Sequence, residues 1–181
     1  SPGRYHLIHR SDLGHFELSS DAITNRLRRS PAARAIPEED RPAHLGYTIG
    51  SSLIFPRRRV NGMQSINQRR GTHPRIADRF DLTLECIRRH YLREASPLDD
   101  LLLRCADFFE LFENFEGYVN FFLLQDLVDA NYAIRFFHDF ANFTTPARPH
   151  SREDYLAYLA ASNAFIAARN ARVRDWAASQ S

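Results

Sequence analysis

The sequence predicts an α+β fold, in which an N-terminal antiparallel β-part packs against a C-terminal set of about four helices. Short runs of alternating apolar and polar residues, separated by turn signals, precede residue 70. After Pro74 the apolar residues recur at helical spacing instead. With 181 residues, of which 44% are hydrophobic, the chain is long enough for one sizeable core, and we expect a single α+β domain over residues 1–181.

Two hairpins are predicted in the β-part. Residues 5–9 and 15–19 form short strands joined by Ser-Asp-Leu-Gly, a plausible hairpin connection. Residues 45–56 give the strongest strand signal, because they combine β-branched and aromatic side chains. An Asn-Gly pair at 61–62 is a strong turn signal, so residues 63–67 are predicted to return as the next strand.

The segment between these hairpins is predicted to be mostly irregular. Residues 21–29 are expected to form a short helix that stops at the following Ser-Pro pair. Residues 30–44 contain prolines at positions 31, 37 and 42, and we expect them to form an exposed loop.

The helical part is predicted to begin at Pro74. Five apolar residues recur there at helical spacing over residues 74–91: Ile76, Phe80, Leu84, Ile87 and Tyr91. Three further helices are predicted, over residues 99–113, over the very apolar and centrally placed 118–128, and from Ser151 onward, where Asp154 completes a capping box. Residues 132–143 are ambiguous, since their YAIRFF run also fits a buried strand of the sheet.

All 24 basic residues are arginines, whose planar guanidinium groups suit carboxylate or phosphate partners. Residues 1–95 hold 17 arginines against 10 acidic residues, whereas residues 96–181 hold 7 against 12. This asymmetry indicates either an anionic partner for the first half or mutual neutralisation of the two halves within the fold.

Composition also bounds the cellular setting. No apolar run approaches the roughly 18 residues that span a bilayer, so we expect no membrane partner. Cys86 and Cys105 are too few for a disulfide framework or a cysteine-only zinc site, and a reducing cytoplasm is the expected location. His6 and His9 would point to opposite faces of a strand, and we expect no metal and no cofactor.

Several long runs of the sequence resemble a family of uncharacterised bacterial proteins that carries only a domain-of-unknown-function label. They are INQRRG, IADRFDLTLECIRRHY and FEGYVNFFLLQDLV, with HRSDLGHFELSSD and GYTIGSSLIFP earlier in the chain. The resemblance spans most of the chain and implies no activity, cofactor or catalytic residue. It does imply a family chain that extends further at the N-terminus, so we expect this one to be truncated or divergent there.

Residues 64–91 form a candidate site, because arginines, acids and histidines are interleaved there. One hypothesis is that a phosphate-bearing ligand, RNA or a nucleotide, is bound or cleaved without a metal. In a phosphodiesterase of this kind Glu85 or His90 acts as acid and base. The candidate ligand-binding residues are Asn67, Arg69, Arg70, Arg79, Arg88 and Arg89. Neither a P-loop nor a dinucleotide fingerprint is present.

The competing hypothesis is a non-catalytic protein-interaction or homo-oligomeric module whose arginine–acid networks are structural. In this interpretation Glu85 pairs with Arg89 one helical turn later, an interaction worth about 0.3–0.5 kcal/mol on a helix surface. The charged residues of the helix are then expected on its more exposed sides: Asp78, Asp81, Glu85, Arg88 and Arg89. Internally paired arginines favour this hypothesis, whereas an uninterrupted basic groove favours the first.

Overall fold

A computed structural model of the protein describes residues 4–8, 15–23, 26–56 and 64–180. Within these ranges three antiparallel strands form one sheet in the order β1-β2-β3: β1 Arg4–Ile8, β2 His15–Ala22 and β3 Ser52–Pro56. Most of the helices come after the sheet in the chain, so the predicted α+β class is confirmed. The antiparallel strand pairing of the first predicted hairpin is also confirmed, since β1 pairs with β2, while the predicted Ser-Asp-Leu-Gly connection lies outside the described residues.

The predicted helix at residues 21–29 is wrong over its first turn. Ala22 pairs with Ser52 of β3, so β2 continues into this segment as a strand. A 3-10 turn, Arg26–Arg29, is the helical part that remains among the described residues of this segment. Pairing with β3 therefore outweighs the local helical signal.

The predicted exposed loop at residues 30–44 contains a buried helical turn. Helix α1, Pro31–Arg34, begins after Ser30, whose hydroxyl accepts a hydrogen bond from the N–H of Ala33. Proline suits the first helical position, because its missing N–H would have no intrahelical partner there. Ala33 is completely buried, so this turn contributes to the core, whereas residues 37–40 are exposed as predicted.

Strand β3 is shorter than the strand predicted at residues 45–56. The first half of that segment forms turns that end in a 3-10 turn, Ile49–Ser51. Gly50 lets this turn approach the last helix closely, since a Cβ at this position would lie 2.5 Å from the carbonyl oxygen of Ile166. Contact with that helix takes the place of further strand pairing.

The predicted returning strand at residues 63–67 is wrong over residues 64–67. Helix α2, Ile66–Thr72, begins there with Ser65 as its cap. The Ser65 hydroxyl accepts from the N–H of Gln68, and the Gln68 side chain accepts from the N–H of Ser65, which completes a capping box. The Asn-Gly pair at 61–62 lies outside the described residues.

Helix α3, Phe80–Leu92, confirms the second part of the helix predicted over residues 74–91. Residues 74–79 form turns instead, in which Ala77 and Asp78 adopt left-handed backbone angles with φ of 50° and 67°. Eight consecutive residues of α3, from Phe80 onward, are buried. Helix α3 therefore runs through the interior and has no solvent-facing side in its first two turns.

The later helices differ from the prediction mainly in their ends. They are α4 Asp99–Arg104, α5 Ala106–Glu110, α6 Phe115–Phe121 and α7 Arg152–Ser179. The predicted helix at 99–113 is thus divided in two, and α7 begins with the predicted capping box. Residues 132–143 add no strand to the sheet, and their described β-pairing is a single bridge to Val128. No described helix combines the length and apolar character needed to cross a membrane.

The buried apolar side chains form one continuous cluster around α3. Phe80 of α3 stacks on Phe165 of α7 with ring centroids 6.2 Å apart, and Tyr118 of α6 packs edge-on against Phe112. The segment predicted to be central, 118–128, is only partly so, since Phe121 is 63% exposed. Because α3 occupies the interior instead, its charged side chains must find partners within the protein.

Candidate functional site

The acidic side chains of the candidate site lie inside the protein. Asp78, Asp81 and Glu85 are all buried, Glu85 with 3% of its surface exposed. The expectation that they occupy the exposed sides of the helix is therefore wrong. A helix buried all round cannot place a carboxylate in water, so each carboxylate is paired with an arginine.

Arg70 is fully buried and joins α2 to the start of α3. Its Nη1 donates to Asp78 Oδ1 at 2.7 Å and to Asp21 Oδ2 of β2 at 2.8 Å. Its Nε donates to Thr83 Oγ1 at 3.1 Å, and its Nη2 donates to the Asp78 carbonyl at 3.0 Å. Asp78 has a left-handed backbone, and both its carboxylate and its carbonyl oxygen accept hydrogen bonds from the Arg70 guanidinium group.

Arg79 is buried in a second network on the other side of the α3 N-terminus. Its Nε and Nη2 donate to the two Asp81 oxygens at 3.2 and 2.6 Å. The remaining N–H groups donate to the carbonyls of His138, Asp139 and Ala147 at 2.7–3.3 Å. All five guanidinium N–H groups are thus used, and Asp81 also accepts from the N–H of Phe137 at 2.9 Å.

Glu85 lies one turn further along α3 and accepts from two arginines. Arg88 Nε donates to Oε2 at 2.8 Å, and Arg89 Nε donates to Oε1 at 2.8 Å. Arg89 also contacts Asn142 and lies over the ring of Phe143, 5.0 Å from its centroid. The predicted pairing of Glu85 with Arg89 is present, but the carboxylate is buried and not on a helix surface.

His90 does not join Glu85. Five residues separate the two along α3, which places them about 140° apart around the helix axis. The His90 ring packs against Phe109 with centroids 5.3 Å apart, and burial lowers its pKa. The structure therefore does not bring together the acid and base of the hypothetical phosphodiesterase.

Asn67 and Arg69 lie on α2, apart from the buried networks. Asn67 Nδ2 donates to Ser19 Oγ at 2.9 Å, while Asn67 Oδ1 and Arg69 Nε are buried without a partner among the described residues. Burial and the positive charges of Arg69 and Arg75 lower the pKa of His73. We call this group of Asn67, Arg69, His73 and Arg75 the α2 surface.

The eight predicted site residues thus fall into separate groups instead of one site. Arg70 and Arg79 hold opposite sides of the α3 N-terminus, Glu85 binds Arg88 and Arg89, and His90 packs among aromatic rings. Asn67 and Arg69 belong to the α2 surface. No group of three potential metal ligands occurs in the part of the chain that the structure describes.

Sequence reasoning missed Arg169 of α7, which is buried and lies beside Tyr118 in a cleft. A signal was available, because Arg169 follows Phe165 and Ile166 at the four- and three-residue spacing of one helix face. Those two residues belong to the buried stripe of α7, so the same spacing indicates that Arg169 is buried too.

Comparison with known proteins gives a family but no described function. A family model, described as a family of unknown function (DUF6994), matches residues 1–173. No curated protein and no solved structure matches the chain. The predicted resemblance to a domain of unknown function is confirmed, and the chain belongs to the family of unknown function DUF6994.

Proposed function

We propose that this chain is a non-catalytic interaction module that associates with a second copy of itself through an apolar surface around α7. Six of the eight large apolar side chains exposed in the described part of the chain belong to α7 or to segments that contact it. They are Leu45, Tyr47, Ile49, Ile54, Phe121 and Trp176. We call them the α7 apolar surface, and their clustering is the observation that carries the proposal.

Hydrogen bonds link α7 to the segments that carry several of these residues. Asn163 accepts from the N–H of Leu45 at 3.0 Å, and Asn170 accepts from the N–H of Gly50 at 2.8 Å. Arg169 donates to the carbonyl of Phe122, next to Phe121, at 2.9 Å. Trp176 lies on α7 itself and is 55% exposed. These segments therefore contact α7 between Asn163 and its C-terminal end.

A second copy fits this surface better than a highly charged partner. Arg174 and Asp175 are exposed next to Trp176 and carry opposite charges, so two antiparallel copies of the helix end offer complementary pairs. The net charge of the chain is only +2, which keeps repulsion between copies small.

The saturated networks of α3 support a non-catalytic role. Arg79 has no N–H group left for a ligand, and both oxygens of Glu85 accept from guanidinium groups. A general base needs a carboxylate that can reach its substrate. A reducing cytoplasm remains the expected setting, and it suits the buried Cys86 and Cys105.

Analytical ultracentrifugation over a concentration series tests the association. We expect the native chain to dimerise reversibly, and the Trp176→Ser and Phe121→Ser variants to sediment as monomers with an unchanged melting temperature. Leu103→Ser is the matched control, because Leu103 is 65% exposed and lies outside the α7 apolar surface. A native chain that stays monomeric at every soluble concentration would refute the proposal.

A second candidate function is binding of a phosphate-bearing ligand, such as RNA or a nucleotide, at the α2 surface. The observation that favours it is that two buried polar atoms of α2, Arg69 Nε and Asn67 Oδ1, have no described partners, while Arg75 is exposed a few residues further along the chain. Arg70 was predicted to contact the ligand, but in this proposal it only holds the local structure together, because it is fully buried and bound to Asp78.

Fluorescence anisotropy with single-stranded RNA at several salt concentrations tests this candidate. For an Arg69→Ala/Arg75→Ala variant we expect weaker binding and a shallower salt dependence, by about 0.7 in the log–log slope for each lost phosphate contact. Arg148→Ala/Arg152→Ala is the control, since both residues are exposed and lie outside the α2 surface. Absence of RNA binding at low salt rules the candidate out.

A further inference from the structure

A narrow cleft lies between the outer edge of β3 and helices α6 and α7. Its floor is apolar and includes Phe55, Phe80 and Leu124. Two polar side chains also line it, the guanidinium of Arg169 and the hydroxyl-bearing ring of Tyr118. No residue that we place in the α3 networks or on the α2 surface lines this cleft.

Arg169 is a buried cation without a carboxylate partner in the described part of the chain. It is 7% exposed, and its four hydrogen bonds all go to backbone carbonyls, those of Gly50, Ser52 and Phe122, at 2.7–3.1 Å. One Nη2 hydrogen of the five N–H groups is left over. Burial lowers the pKa of Arg169 to about 10, because no carboxylate nearby compensates the charge that is removed from water.

Tyr118 supplies a second donor to the cleft. The residue is 2% exposed, and its hydroxyl has no hydrogen-bond partner among the described residues. Burial raises the pKa of the Tyr118 hydroxyl, the positive charge of Arg169 partly offsets this, and both residues line the same cleft. A buried tyrosine hydroxyl normally donates to a partner, so an acceptor is expected next to it.

The backbone N–H of Ile54 is the third donor. The N–H of Ile23 donates to the Ser51 carbonyl, so Ile23 and Ser51 form a hydrogen-bonded pair at the end of the β2–β3 ladder. Hydrogen-bonded pairs alternate along an antiparallel ladder, so the N–H and C=O of Ile54 point away from β2 toward the outer edge. The Ile54 side chain lies on the face opposite Leu53 and Phe55, so its backbone lines the cleft.

The cleft has room for one small particle. Its volume is about 10 Å³, which is enough for one small molecule or ion. We propose that the cleft binds a single small monovalent anion, of the size of chloride, between Arg169, Tyr118 and the N–H of Ile54. An anion satisfies three donors at once and neutralises the buried guanidinium, whereas a water molecule leaves that charge uncompensated.

Thermal unfolding in sodium chloride and in sodium gluconate at equal ionic strength tests the anion site. Gluconate is too large for the cleft, so we expect the midpoint of the native chain to be higher in chloride by about 2–4 °C. Crystals soaked in bromide are expected to show an anomalous difference peak beside Arg169. A midpoint that is equal in both salts, or a cleft without a bromide peak, means that the cleft holds only water and overturns the proposal.

Two substitutions locate the effect. Tyr118→Phe removes one donor and is expected to lose at least half of the chloride-dependent shift, while Arg169→Met is expected to abolish it. Tyr158→Phe is the matched control, because Tyr158 is equally buried, its hydroxyl has no partner among the described residues, and it packs on Phe137 away from the cleft. Equal chloride responses of Tyr118→Phe and Tyr158→Phe would place the anion elsewhere and also overturn the proposal.

Discussion

Arg79, at the start of α3, and Arg169, in α7, are two buried arginines that join distant segments by donating to backbone carbonyls. Arg79 also binds Asp81, which neutralises its charge and completes its five hydrogen bonds. Arg169 has no such carboxylate in the described part of the chain and retains one unused N–H group. The comparison teaches that burial alone does not distinguish a structural arginine from one that can still bind a ligand. The unused N–H donor and the missing carboxylate partner of Arg169 are what distinguish the two.

The largest effect is expected from removing the arginine that has a buried counter-ion. Arg79→Met leaves Asp81 as an unpaired buried anion, and we expect a loss of about 3–5 kcal/mol in the free energy of unfolding. Arg169→Met leaves unpaired carbonyls but no buried charge, and we expect a smaller loss of about 1–3 kcal/mol. Urea unfolding of both variants measures the difference, and equal losses would break the comparison.

The loss expected from removing Glu85 is similar to that from removing Arg169. Glu85→Ala leaves Arg88 and Arg89 without their shared carboxylate, yet their side chains remain 26% and 16% exposed, so water partly compensates them. We expect a loss of about 1–3 kcal/mol. Glu94→Ala is the control, since Glu94 is exposed at the end of the same region. A loss of less than about 0.5 kcal/mol from Glu85→Ala would show that the pairs behave as surface salt bridges.

The junction of β3 with α7 is tested by the close contact at Gly50. Gly50→Ala places a methyl group 2.5 Å from the Ile166 carbonyl oxygen and 2.8 Å from the N–H nitrogen of Asn170, both backbone atoms of α7. We expect overpacking to cost about 1–3 kcal/mol. Gly46→Ala is the control, because the group it would meet is the movable His44 ring. Calorimetric melts of the two variants compare the sites, and similar midpoints would mean that the Gly50 turn is not tightly held.

The smallest effect is expected from the titration of His90. Burial lowers its pKa in the folded chain, so the unfolded chain takes up the proton more readily. The contribution of His90 to stability is therefore complete above pH 6.5 or so, the ordinary histidine pKa, and is lost as the pH falls below it. His90→Phe keeps the ring contact and should flatten the pH dependence of the melting temperature below about pH 6.5. His150→Phe, at an exposed histidine, should leave that dependence unchanged.

Local sequence patterns predicted those elements for which only one type of secondary structure was indicated. The spacing of Phe80, Leu84 and Ile87 identified the buried stripe of α3, and Ser151 with Asp154 identified the start of α7. The start of α2 was missed although Ser65 and Gln68 carry the capping-box pattern, because the Asn-Gly turn signal just before them suggested a returning strand.

The site was less predictable, because its contacts are distant in sequence. Asp21 and Arg70 are 49 residues apart, and Arg79 binds carbonyls about 60 residues further on. Helical periodicity shows which face of α3 is apolar but not that both faces are covered, since burial of the second face depends on residues 137–147 and on β2. The same limit explains why the carboxylates of α3 were expected in solvent.

The most direct test of a structural role for these networks is a double-mutant cycle on Arg79 and Asp81, measured by urea unfolding. We expect Arg79→Met and Asp81→Leu each to cost about 3–5 kcal/mol and the double variant to cost less than their sum by at least about 2 kcal/mol, because neither charge is then left alone. Single variants that are as stable as the native chain, with no coupling between them, would contradict a structural role and would make Arg79 a candidate ligand-binding residue again.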